Sequence, residues 1–151
     1  MTLTLFHTGV LLIDLFAALL IAGYESARMT PIALWEPPVW GRHLAVLLNL
    51  FAFILLVAAY IPRNSIKAKI GHPMVVAVKI WAFAHLLANG TLTDLVLFGG
   101  FLIWSVLVFR AARQRDRLAA ASAPVGEESG VPQPEVSSAT TWLAVAIGVA
   151  L

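Results

Sequence analysis

No cysteine occurs among the 151 residues. That excludes disulfides, thiolate-bound zinc, iron–sulfur clusters and covalently attached c-type haem. Charge is also scarce: 12% of residues are charged, against about 25% in a soluble domain. Ten basic and eight acidic residues leave a formal net charge of +2. The basic residues flank apolar runs instead of covering a soluble face, so nucleic acid is not an expected partner. Nor is there an HExxH zinc motif, a glycine-rich phosphate loop after a strand, or a Ser–His–Asp arrangement. No internal repeat is visible.

What is there is apolar. The chain is 60% hydrophobic with a mean hydropathy of +0.89. One domain of this length, with its helices packed against each other inside lipid, is the expectation. The fold class is therefore an all-α integral membrane protein, a bundle of four complete transmembrane helices plus a partial fifth, with the lipid bilayer as its first partner.

The stretch 71–90, GHPMVVAVKIWAFAHLLANG, anchors this reading. Pro73 suits the first helical position, His72 the N-cap, and Asn89-Gly90 a left-handed stop. About 18 residues between them suit a crossing of roughly 30 Å. Ahead of it, Thr4–Tyr24 reads as a first crossing with His7 near its start and Asp14 near its middle. A signal peptide is the weaker reading there, because no positive n-region or cleavage site is clear. Glu25–Gly41 reads as a loop broken by Pro31, Pro37 and Pro38, with Trp35 and Trp40 as interfacial anchors. Arg42–Ile61 is the second crossing, holding His43 and Asn49. Pro62–Ile70 is a short basic loop.

Thr91–Asp94 has the character of a capped turn. Leu95–Phe109 follows as the fourth crossing, with Gly99-Gly100 placed for close helix contact. Residues 1–117 thus form the transmembrane domain. Residues 118–140, rich in Ala, Ser, Pro, Glu and Gly, read as a disordered cytoplasmic linker. Residues 141–151 start a further transmembrane helix, too short to span.

Alternation of the crossings puts Arg63, Lys67, Lys69, Arg110, Arg113, Arg115 and Arg117 on one side, and Arg28 and Arg42 on the other. The positive-inside rule makes the first side cytoplasmic. His72 then lies near the cytoplasmic surface, and His43 and His85 at similar depth toward the outer side. His72 and His85 are roughly 20 Å apart along one helix at 1.5 Å per residue, so they cannot share one metal. Met74, Trp81, His85 and Asn89 fall on one stripe, His72 and Lys79 on another. Asp14 and Lys79, both at mid-depth, are expected to pair, since an isolated charge there costs at least ~2.5 kcal/mol; the alternative is that Lys79 snorkels.

Two neutral imidazoles on facing helices can hold b-type haem without covalent attachment. His85 and His43 are the candidate iron ligands, with His72 a third candidate for cofactor contact. His43 and His72 lie at helix ends, where a histidine is more often a cap or interface residue than a ligand. His85 lies within lipid depth, where polar groups are usually functional.

RHLAVLL at 42–48, IKAKIGHPM at 66–74 and KIWAFAHLLANGTLTDLVLFGGFLIW at 79–104 resemble the NnrU family, over roughly 28–110. The resemblance implies a bacterial inner-membrane, multi-pass protein linked to nitric oxide and nitrite reduction in denitrification. The family includes the zeta-carotene isomerases, which use b-type haem to isomerise a cis double bond in a polyene. Three functions are thereby implied: a haem-b protein of nitric oxide and nitrite metabolism, a haem-dependent polyene isomerase, or a non-catalytic assembly factor for a membrane reductase.

In the isomerases a histidine of the W..AH block ligates haem, which carries over to His85 of Trp81–His85. The cysteine that stands three residues before that ligand is Ala82 here. The isomerases' second ligand lies in an N-terminal His-Ser block that this chain does not match. His7-Thr8-Gly9 echoes that block but falls too close to Trp35. The options left are a shortened chain, His43 as replacement, or no haem. His72-Pro73 matches a His-Pro of the family, implying a structural or propionate-side role.

Overall fold

The computed structural model describes residues 2–122 and 136–151, with side chains from Leu11 onward except at 12, 13 and 16. His7's side chain and positions 123–135 of the expected linker therefore lie outside the described residues. The described chain is helical throughout: α1 Thr2–Met29, α2 Val39–Tyr60, α3 Ser65–Ile70, α4 Pro73–Ala88, α5 Leu92–Ser122 and α6 Ser138–Ala150.

Proline and local capping explain most of these boundaries. α1 runs five residues past the expected end at Tyr24, because nothing in Glu25–Met29 opposes a helix before Pro31. α2 starts directly after Pro37-Pro38. The basic loop contains a short helix, α3. Its Asn64 side chain accepts a hydrogen bond from the Lys67 N–H at 2.8 Å and donates to the Ala58 carbonyl oxygen at 2.9 Å, an N-cap that also closes α2. Pro73 opens α4 after His72, as its sequence suggests.

α4 ends differently from the expectation. Asn89 is extended, at φ −124° and ψ 146°, and among the described glycines only Gly71 has positive φ. Gly90 is needed for proximity instead. A Cβ there would collide with the Trp35 carbonyl, while the Leu34 N–H donates to the Gly90 carbonyl oxygen at 2.8 Å and the Leu92 N–H to that of Ile32 at 2.9 Å. The loop between α1 and α2 is thereby stitched to the turn between α4 and α5.

The helices pack in a row. α4 lies between α2 and α5, α6 covers another side of α2, and α1 touches only α5 among the described residues. The buried seams are built from small side chains, Ala45, Ala52, Ala77, Ala84 and Ala144 among them, which let backbones approach closely. A Cβ on Gly41 would fall 2.9 Å from the Leu87 carbonyl oxygen, and one on Gly148 would fall 2.5 Å from the Ile54 Cα.

α2 and α5 are long and apolar enough to cross a membrane, and only 17% of each apolar window is buried within the protein. Phe51, Ile103, Trp104 and Leu107 are at least half exposed. Such faces in water would be aggregation sites; lipid covers them without penalty. α4, at 16 residues, is about 24 Å long and shorter than a full span. α5 continues through the basic flank to Ser122, and α6 begins at Ser138, so both helices enter the ends of the expected linker. Among the described residues, Gly99 and Gly100 mediate no close helix contact. A Cβ at Gly99 would meet only its own helix's Leu95, and one at Gly100 nothing within 4 Å.

Candidate functional site

α4 and α5 form an antiparallel hairpin about residues 89–91, so positions equidistant from the turn meet. Thr91 sets the turn: its hydroxyl donates to an Asp94 carboxylate oxygen at 2.6 Å and accepts from the Asp94 N–H at 3.2 Å, as the capping pattern suggests. His85, six residues before Thr91, meets Phe98, seven residues beyond it, and the two rings stack at 4.4 Å with planes 28° apart. Trp81 flanks the other side of His85 at 4.8 Å. It also meets Phe98 at 5.3 Å and Phe101 at 5.6 Å, both edge-on.

The hydrogen bonding of His85 fixes its tautomer. Its Nδ1 lies 2.8 Å from the Trp81 carbonyl oxygen. A carbonyl can only accept, so Nδ1 carries the proton, and in the neutral ring Nε2 keeps its lone pair. A metal-binding histidine is commonly oriented in this way, by donating its other N–H to a carbonyl. Among the described residues no group of three or more His, Asp or Glu is placed to hold a metal ion. Iron bound at His85 would need a macrocycle to supply its other ligands. What His85 itself offers is one imidazole nitrogen, Nε2, with its lone pair available to a metal.

The expected His43–His85 pair is not formed. Gly41 and Ala45 face inward, and Gly41 abuts Leu87 of α4. His43 is two residues from each, about 200° around the helix, and is exposed. Its Nδ1–H donates to the Val39 carbonyl oxygen at 3.1 Å. Equal depth is therefore not proximity, since His85 faces α5 and His43 turns away from α4.

His72 lies at the other end of α4. Its Nε2 is 2.9 Å from the Asp116 Oδ2, and its ring meets Phe109 edge-on at 6.4 Å. Lys79, on the same stripe, places its Nζ 4.2 Å from the Phe109 centroid. The expected Asp14–Lys79 pair is absent. α5 separates α1 from α4, so the two charges sit on helices that do not touch.

Two features escaped the sequence. Tyr24 donates to the Asp94 Oδ1 at 2.8 Å across 70 residues, tying α1 to α5; no local signal announces that bond. Asn49 Oδ1 is buried with no hydrogen-bond partner among the described residues. The Phe98 contact, by contrast, follows from folding the α4–α5 hairpin about Thr91, whereas Asp116 lies six positions beyond the mirror of His72 and does not.

An all-helical protein with apolar helices able to cross a membrane, and one oriented histidine in an aromatic cluster, is the class these observations define. A family model described as NnrU protein matches residues 4–151, nearly the whole chain. The chain belongs to the NnrU family. Comparison with curated proteins and with solved structures gave no match in either set.

Proposed function

We propose that this chain is a multi-pass protein of the bacterial inner membrane that binds b-type haem through His85 and serves nitric oxide and nitrite reduction. In this reading α1, α2, α4 and α5 cross the membrane and α6 begins a fifth crossing. The ends of the bundle support that topology. Gly71, beside the Arg113 guanidinium, the His72–Asp116 pair and the start of α6 against Arg63 gather at the basic end. The proline-rich loop and its stitches to Gly90 gather at the other. The positive-inside rule makes the basic end cytoplasmic.

The observation that carries the haem assignment is the Nδ1–H bond of His85 to the Trp81 carbonyl, which leaves Nε2 free for iron. Bound haem would supply one-electron redox chemistry. The chain's own residues do the rest. The Trp81 carbonyl holds the imidazole in one tautomer, Phe98 and Trp81 fix its plane, and the apolar surroundings lower the local polarity.

The experiment has two arms. Haem content is measured on protein purified from haem-replete cells, for wild type and His85→Ala. Nitrite and nitric oxide consumption is measured in cells lacking the protein and complemented with each form. The proposal expects haem in the wild type alone and complementation by the wild type alone. Equal haem content in both forms removes the assignment of His85. Full complementation by His85→Ala removes its role in the pathway.

A further inference from the structure

A second site lies between α1 and α5. The two helices diverge around a cavity of about 760 Å³ lined almost wholly by apolar side chains, with Leu19, Val96, Phe101 and Trp104 among them. That volume is within the roughly 300–1,000 Å³ typical of small-molecule sites. Gly23 and Gly100 create part of the space, since a Cβ at either would meet nothing within 4 Å. Leu19, Val96 and Trp104 at its margin are more than half exposed, so the groove opens where the apolar faces of α1 and α5 require lipid. Its occupant therefore arrives from the bilayer.

One end of the groove is polar. Tyr24 and Thr93 bring its two hydroxyls. Tyr24 donates to Asp94 at 2.8 Å; Asp94 is buried and its carboxylate accepts from Thr91 as well. A phenol that donates to a carboxylate becomes a better acceptor at its own oxygen. The Tyr24 oxygen is thus suited to receive an O–H from a ligand. Arg28 lies 5.5 Å from the Tyr24 ring, and Glu25 lines the adjoining space with it. With Asp94 behind, that end has no cationic excess to attract a phosphate. It fits a neutral head. Phe101 and Trp104 offer aromatic surface to a planar one.

We propose that this groove binds an isoprenoid quinol, its hydroxyl-bearing ring at Tyr24 and its prenyl tail along Leu19, Val96 and Gly100. Phe101 forms a wall of the groove and stacks edge-on against Trp81, so the site backs onto the His85 cluster. The proposal goes beyond haem binding and does not depend on it.

The test is a titration of the detergent-purified chain with decylubiquinol under anaerobic conditions, read by tryptophan fluorescence, with Trp104→Phe identifying the responding residue. Saturable quenching lost in Trp104→Phe is expected. Tyr24→Phe should weaken binding about tenfold, the loss of one hydrogen bond. Gly100→Leu should abolish it by filling the groove. Both variants are to be compared at wild-type helical circular dichroism. If Gly100→Leu does not fold, the isosteric Tyr24→Phe decides alone. Unchanged affinity in Tyr24→Phe overturns the quinol assignment. Displacement by phosphatidylglycerol at equal concentration also overturns it, in favour of an ordinary acyl chain.

Discussion

The imidazole of His85 lies nearly parallel to the ring of Phe98, 4.4 Å away, with 28° between their planes. The stack joins α4 to α5 at the depth of the proposed iron site. An aromatic pair contributes about 0.5–1.5 kcal/mol beyond its buried area. Phe98→Leu should therefore lower thermal stability in detergent by more than the volume change alone, and His85→Ala in that background should cost less than in wild type. A double-mutant cycle measured by thermal unfolding checks this. Additive losses would show that the stack contributes nothing.

Lys79 and Phe109 form the charge contact at mid-depth, with the ammonium 4.2 Å from the ring centroid. The coupling between them is expected at about 0.5–2 kcal/mol. Asp14 and Lys79 should show none, because α5 stands between their helices. Swapping them, Asp14→Lys with Lys79→Asp, should express no better than either single variant. Recovery in the swap would place α1 against α4 and contradict the packing order.

Asn49 buries a carbonyl oxygen without a partner. An unpaired buried acceptor costs about 1–3 kcal/mol. Asn49→Leu should raise the melting temperature of the purified protein. A fall would mean that the amide has a ligand or partner in the membrane.

Gly148 packs on the α2 backbone so tightly that a Cβ would lie 2.5 Å from the Ile54 Cα and 2.9 Å from its nitrogen. Backbone cannot yield as a side-chain tip can. Gly148→Ala should separate α6 from α2 and destabilise by about 1–3 kcal/mol, whereas Gly23→Ala, with open space around it, should be close to neutral. Because the chain has no cysteine, single cysteines introduced at Ile54 and Gly148 would crosslink only if that contact exists.

Much of this architecture is readable from residues alone. Pro31, Pro37, Pro38, Pro62 and Pro73 delimit the helices because each forbids or favours a specific position. The Thr91–Asp94 cap fixes the hairpin, and the hairpin fixes what His85 meets on α5. The misreadings share one cause. Depth along a helix is legible in sequence, but azimuth between helices far apart in the chain is not. Level alone pairs His43 with His85, and Asp14 with Lys79. Gly90 and the Gly99-Gly100 pair were misread for a related reason: a glycine signals missing bulk but does not say whether backbone, a neighbour or empty space replaces it.

The most direct measurement is the reduced-minus-oxidised absorption spectrum of the detergent-purified protein beside His85→Ala and His43→Ala. The account predicts a haem-b spectrum in wild type, lost in His85→Ala and retained in His43→Ala, since His85 is part-buried in the aromatic cluster with its Nδ1 at the Trp81 carbonyl while His43 is exposed. A flat wild-type spectrum, or equal loss in both variants, would contradict it.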